Sequence, residues 1–295
     1  MSATIRKPEW IRKRISYGNI DKTEGILRSL KINTVCEGAQ CPNIDECFGR
    51  KTTTFMILGN ICTRGCRFCA VEKGIAKKLD PDEPMHVAEA SKALGLRHVV
   101  ITSVTRDDLL DGGAEHYFKT VKAIKSLNPS ATIELLIPDL KGNWKALKRI
   151  LDAKPDILNH NLETVASLYK TVRPQADYER SLELLRKSKE IDPKTYTKSG
   201  IMVGLGEKVE EVNALMDDLK AACCDIITIG QYLRPSENHL EVFEYIHPND
   251  FEVYRITAMK KGFKYVAAGP FVRSSYNAVL GMDKINNTNK VLKSI

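Results

Sequence analysis

From about residue 53 onward, short apolar and β-branched runs alternate with longer amphipathic stretches. The runs TTFMILG (53–59), HVVITSV (98–104), TIELLIP (132–138), DILNHNL (156–162), SGIMVGL (199–205) and DIITIGQYL (225–233) predict six strands. Between them, PMHVAEASKALG, GAEHYFKTVKAIKSL, NWKALKRILDA, DYERSLELLRKSKEI and KVEEVNALMDDLKAAC place apolar residues at helical spacing. Asn143 and Asp177 stand where N-caps belong, and Gly95 suits a helix C-terminus. Six alternations predict a parallel sheet with right-handed crossovers. The count and spacing suit an α/β fold with a partial (β/α)6 barrel of the TIM type. No G-x-G-x-x-G follows the first strand, which weakens the doubly wound alternative. A seventh apolar run, FKYVAAGPFV (263–272), is expected to close an edge or lead the chain back toward the barrel mouth.

Three regions follow from this pattern. Residues 1–50 form an irregular N-terminal extension with short helical pieces such as TEGILRSLKI. Residues 51–262 form the barrel, and 263–295 a C-terminal extension. In a barrel of this kind, the loops after the strands make the catalytic face. Polar segments stand at those ends: TSVTRDD (102–108), PDLKGN (138–143), HNLET (160–164) and QYLRPS (231–236). Each is expected to open onto the same mouth.

The chemistry lies in the cysteines. Six of the eight fall into two triplets, Cys36, Cys41 and Cys47, then Cys62, Cys66 and Cys69. The second triplet, in CTRGCRFC, follows directly on the first predicted strand. Soft thiolates select zinc, copper(I) or iron–sulfur clusters. Structural zinc closes its tetrahedron with four ligands. No histidine lies within fifteen residues of the 62–69 loop, and the six histidines show no ligand pairing. Three thiolates on one tight loop fit a [4Fe–4S] cluster whose fourth iron is open to a further ligand. Cys223 and Cys224 lack triplet spacing and are expected to be buried core thiols.

Composition narrows the setting. A chain of 295 residues, 43% hydrophobic and 28% charged, can bury a core without disulfide staples. The opening MSATIRKPEWIRKR has charge without an apolar core, and no run approaches a membrane span. A reducing cytoplasm is therefore expected, where clustered cysteines serve metals or catalysis. The net charge of +8 favours an acidic partner.

CTRGCRFC resembles the signature of the radical S-adenosylmethionine superfamily, including the aromatic Phe68 between the last two cysteines. That resemblance implies a partial (β/α) barrel and a [4Fe–4S] cluster on Cys62, Cys66 and Cys69. The open iron would chelate S-adenosylmethionine, and reduction would release a 5′-deoxyadenosyl radical. The first triplet, in INTVCEGAQCPNIDEC, narrows the match. With TSVTRDDLLDGGAEHY, HNLETV, KSGIMVGLGE, GQYLRPS and GPFVRSSYNA, it is similar to the lipoyl synthase family from about residue 34 to residue 278. Phe48 departs slightly, since that family more often has Trp there.

The family resemblance implies insertion of two sulfur atoms, at C6 and C8 of an octanoyl chain on a carrier lysine. It implies a second, auxiliary [4Fe–4S] cluster as sulfur source, held by Cys36, Cys41, Cys47 and Ser275 of the R-S-S-Y motif. Thr102, Ser103, Arg106, Glu134, Asn161, Lys198 and Ser199, by the same resemblance, would surround S-adenosylmethionine. Implied partners are octanoylated lipoyl domains of 2-oxoacid dehydrogenase E2 or the glycine cleavage H protein. A ferredoxin or flavodoxin as electron donor and an iron–sulfur carrier for cluster renewal complete the set; neither nucleic acid nor membrane is expected. A tRNA methylthiotransferase would need an extra domain at each end, yet the first triplet begins 26 residues before Cys62. A non-enzymatic metal-binding module would not need polar strand ends.

Overall fold

The computed structural model describes residues 6–12, 20–49, 52–276 and 278. Eight strands form one sheet in chain order: β1 (Asn33–Thr34), β2 (Thr54–Ile57), β3 (His98–Ser103), β4 (Thr132–Leu136), β5 (Ile157–Asn159), β6 (Tyr196–Val203), β7 (Ile226–Gln231) and β8 (Tyr265–Gly269). β2 to β8 are parallel, β1 is antiparallel to β2, and the sheet stays open. Every residue of β2 and β7 is buried, as expected of parallel strands covered on both faces. The partial barrel expected from six runs thus gains a parallel edge strand from the seventh run and a short antiparallel one from the N-terminal extension.

Ten helices accompany the strands among the described residues. α1 (Ile20–Ser29), α2 (Val35–Gly38) and α3 (Ile44–Gly49) belong to the N-terminal extension. α4 (Glu83–Ala93), α5 (Ala114–Leu127) and α6 (Trp144–Leu151) follow β2, β3 and β4; α7 (Tyr169–Val172) and α8 (Tyr178–Ile191) both follow β5; α9 (Val209–Ala221) and α10 (Pro248–Lys260) follow β6 and β7. Asn143 accepts from the Ala146 N–H at 3.1 Å and Asp177 from the Arg180 N–H at 2.8 Å, so both caps form where the sequence puts them. Gly95 takes φ 65° just after α4. The pattern misses α10 because Val253, Ile256 and Met259 face solvent and blur its polar side. No helix among the described residues is long and apolar enough to cross a membrane.

Two details differ from the sequence expectation. Lys198 and Ser199 do not begin their strand, because β6 starts at Tyr196. Thr197 extends it by donating its N–H to Asp225 at 3.0 Å and its hydroxyl to the Cys223 carbonyl at 2.8 Å. Of the paired cysteines, Cys224 is buried but Cys223 is exposed on the turn, at φ 59°. The tight α9–β7 connection lets only one of two neighbours point inward.

Candidate functional site

A cavity of about 560 Å³ opens at the C-terminal ends of the strands. All six triplet cysteines line it, as do Thr102, Ser103, Asn161 and Ser275. Residues from 102–105, 160–163 and 232–235 reach this wall, so three of the four polar strand ends meet at one mouth; of 138–143 only Pro138 does, and Leu140–Asn143 line a separate cavity with Arg106 and Asp107. Arg106, Glu134, Lys198 and Ser199 are not in its wall. Glu134 and Lys198 form a fully enclosed ion pair at 2.8 Å lower in the barrel, joined by Asn159 at 3.0 Å and His98 at 3.5 Å. The Ser199 hydroxyl accepts from the Leu162 N–H at 3.2 Å, and Arg106 pairs with Asp108 at 2.8 Å while donating to the Leu58 carbonyl.

The loop 62–69 is fastened to its surroundings on several sides. The Cys62 N–H donates to the Glu72 carbonyl at 2.8 Å. Thr63 donates its hydroxyl to the Thr105 carbonyl at 2.9 Å and accepts from the Asp107 N–H at 3.0 Å. The Cys62 sulfur accepts from the Thr105 N–H at 3.4 Å. Arg64 turns inward and grips Asp107 with two hydrogen bonds, at 2.7 and 2.9 Å, and Asp139 with a third at 2.6 Å. On the far side, His239 donates from Nε2 to the Cys69 carbonyl at 3.0 Å.

Cys36 and Cys47 sit on the short helices α2 and α3, and Cys41 lies on the turn between them. Thr34 caps α2 by accepting from the Glu37 N–H, which starts the turn carrying Cys36. The Cys41 N–H donates to the Cys36 carbonyl at 2.9 Å, and the Cys47 N–H to the Asn43 carbonyl at 2.9 Å. The C-terminal segment crosses this extension and is tied to it twice. Asn43 donates to the Phe271 carbonyl at 2.7 Å, and the Tyr276 hydroxyl to Glu46 at 3.0 Å. Gly230 makes the approach possible, since a Cβ there would collide with the Val272 carbonyl. The segment thereby brings Arg273, Ser274 and Ser275 into the cavity wall.

Charge is arranged around the thiols. Burial pushes Cys36 and Cys69 up to about 12, and it raises Cys66 against the opposing charge of Arg173. Such thiols stay protonated until a metal claims them. All eight cysteines are free, and no three histidine, cysteine or acidic side chains among the described residues converge as one metal ion requires. A cluster spreads its irons over separate corners, so the two triplets fit clusters better than single ions. The Asn161 Oδ1 atom, buried beside them, has no hydrogen-bond partner. The donor set therefore fits iron–sulfur chemistry with a polar ligand alongside.

Sequence reasoning missed three residues. Arg64, inside the cysteine loop, carries no motif that points to its buried ion pairs. Glu163 lines the cavity half-buried, at φ 67°, with a carboxyl raised by burial, and accepts from Asn161 at 2.9 Å. Its position inside HNLET was the available signal. Arg173 donates to the Asn161 carbonyl at 2.8 Å and to the Tyr169 hydroxyl at 2.8 Å. It follows the four-residue helix α7, too short to show periodicity.

The radical SAM superfamily profile matches residues 56–219, which is more than half of the chain. A lipoyl synthase of Caldanaerobacter subterraneus is 58% identical over 279 residues, covering 95% of this chain and 98% of the relative. One of Caldicellulosiruptor saccharolyticus is 53% identical over 274 residues, covering 92% and 96%. Among solved structures, the FeFe-hydrogenase maturase of Carboxydothermus hydrogenoformans superposes with a TM-score of 0.58 at 16% identity, over 90% of this chain and 69% of that one. That likeness concerns the fold. The chain belongs to the radical SAM superfamily and, within it, to the lipoyl synthase family. It is a radical SAM sulfur-inserting enzyme. Membership brings with it a [4Fe–4S] cluster, S-adenosylmethionine and an octanoylated carrier as substrate.

Proposed function

We propose that this enzyme inserts two sulfur atoms, at C6 and C8 of a carrier-bound octanoyl chain, and takes both from a second [4Fe–4S] cluster of its own. Cys62, Cys66 and Cys69 hold the first cluster, and Cys36, Cys41, Cys47 and Ser275 the second. When bound, the first cluster and S-adenosylmethionine supply a radical hydrogen abstractor, and the second supplies sulfur. One observation carries this reading: all six clustered thiols and the R-S-S-Y segment line a single cavity.

The chain's own residues do the rest. Thr102, Ser103 and Asn161 form the polar wall for S-adenosylmethionine. Glu134, Lys198, Ser199 and Arg106 support that wall from beneath and beside it, through their ion pairs and hydrogen bonds. Met56, Val71, Leu136 and Ile201 supply apolar walls for an octanoyl chain. An alkoxide is a harder donor than thiolate, so Ser275 is suited to leave when the cluster must open. We place the enzyme in the cytoplasm, where its eight free thiols stay reduced. There it would draw electrons from a ferredoxin or flavodoxin, renew its second cluster from an iron–sulfur carrier, and act on lipoyl domains of dehydrogenase E2 subunits or the glycine cleavage H protein.

The test is intact mass of an octanoylated lipoyl domain after anaerobic turnover with reductant and S-adenosylmethionine. Two hydrogens should be replaced by two sulfurs. Unchanged mass alongside S-adenosylmethionine cleavage would place the substrate elsewhere.

A further inference from the structure

The R-S-S-Y segment contains two serines, and only Ser275 has a role in the reading above. Ser274 is bound more tightly to the barrel. Its hydroxyl accepts from Asn161 Nδ2 at 2.7 Å, and the same Nδ2 donates to Glu163 Oε1 at 2.9 Å. An asparagine amide has one donor end and one acceptor end. Here the donor end is consumed by Ser274 and Glu163. The acceptor, Oδ1, is left buried and unpartnered in the wall of the cavity. An unmet buried acceptor is unfavourable, so it calls for a donor from whatever fills that space.

Gly200 is part of the same arrangement. A Cβ at position 200 would lie 2.8 Å from the Ser274 hydroxyl oxygen and 2.9 Å from Asn161 Oδ1. Either contact would push the two side chains apart. The loop beneath them is already fixed, since the Glu163 N–H donates to the Gly200 carbonyl at 3.0 Å. The segment beyond Ser274 is fixed as well, through Tyr276 and Glu46. Asn161 thus stands between two rigid supports. Glu163 sets which way its amide faces, and Ser274 sets where it sits.

We propose that Ser274 is a positioning residue for the cofactor site: it locks the Asn161 amide with its oxygen toward the cavity, ready for a hydroxyl or ammonium donor of S-adenosylmethionine. This rests on the reading that Asn161 faces that cofactor. Ser274 itself touches no reacting atom. It joins the C-terminal segment, which brings Ser275, to the wall that receives S-adenosylmethionine.

The experiment is equilibrium dialysis of S-adenosylmethionine against the full chain, reconstituted anaerobically with iron and sulfide. Wild type, Ser274→Ala, Asn161→Ala and the double variant are compared, with iron content measured on each. Ser274→Ala should weaken binding about 3- to 10-fold, the worth of one hydrogen bond, at unchanged iron content. In the Asn161→Ala background, Ser274→Ala should change affinity no further, because a residue acting through Asn161 falls silent without it. Equal weakening in both backgrounds, or no weakening in the wild-type background, overturns the proposal. If Asn161→Ala alone leaves affinity unchanged, the cofactor-site reading fails and takes the proposal with it.

Discussion

Arg64 and Asp139 meet at 2.6 Å directly beneath the cysteine loop, with the Arg64 side chain 4% exposed and the Asp139 side chain fully enclosed. Asp139 also takes an ion pair from Arg180 at 2.7 Å and accepts from the Lys141 N–H at 3.2 Å. Arg64 adds Asp107 from the loop after β3. One buried carboxylate therefore joins the cluster loop, α8 and the left-handed turn at Leu140–Gly142, where φ runs 49°, 50° and 77°. Removing one partner of a buried pair leaves an uncompensated charge. Asp139→Ala should lower stability by about 3–5 kcal/mol, read as a fall in Tm of the metal-free chain. Hydrogen exchange across 62–69 should accelerate in the same variant. An unchanged Tm would show that the pair is dispensable.

The two triplets should be separable by iron counting. Wild-type chain should hold about eight irons when reconstituted, four for each [4Fe–4S] cluster. Cys36→Ala should drop this to about four while S-adenosylmethionine is still cleaved, with no sulfur transferred. Cys66→Ala should lose the other half of the iron and all cleavage. Loss of cleavage in Cys36→Ala would contradict the division of labour.

Gly230→Ala tests the path of the C-terminal segment. Its Cβ would strike the Val272 carbonyl, so the segment must lift from β7. Sulfur insertion should fall at least tenfold, the order expected when a reacting group is moved by about an ångström. Cleavage of S-adenosylmethionine at saturating cofactor should persist, because Cys62, Cys66 and Cys69 lie on the loop after β2 and not on the segment that lifts. Wild-type insertion by this variant would mean that the segment need not lie where it does.

Acid stability should depend on Glu134. Burial alone would raise its carboxyl, but the Lys198 charge, with His98 3.5 Å away, outweighs it and holds it at about 2, against an ordinary 4.5. A lowered folded-state value means stability that is complete above the unfolded value and lost as pH falls through the folded one. The wild type should therefore lose stability between about pH 4.5 and 2. Glu134→Gln should be less stable at neutral pH, where Lys198 is left unpaired, and should lose less on acidification. Parallel acid-unfolding curves, followed by circular dichroism, would remove Glu134 as the source.

Much of this site was legible in the chain because its parts are local. The triplets are short spacings, and the polar strand ends are seen where the apolar runs of β3 and β7 stop and meet their loops. What the spacing could not convey is depth. Glu134 and Lys198 are 64 positions apart in the chain and pair from β4 to β6 across the intervening β5, so they read as polar strand residues and prove to be a sealed ion pair. Ser103 and Asn161 look no different in sequence, yet they reach the cavity. Arg64 was hidden for the opposite reason: it stands between cysteines, and its partners lie 43 and 75 residues away. The edge strand β1 was illegible because two residues carry no period at all.

The measurement that bears most directly on the central claim is the origin of the inserted sulfur. The enzyme would be reconstituted with heavy-isotope sulfide, freed of unbound sulfide, and given one octanoylated lipoyl domain per chain with reductant and S-adenosylmethionine. A product carrying the heavy isotope at both positions is the expected result, and Cys36→Ala should yield none. Product formed with light sulfur from solution would show that the second triplet does not hold the sulfur source.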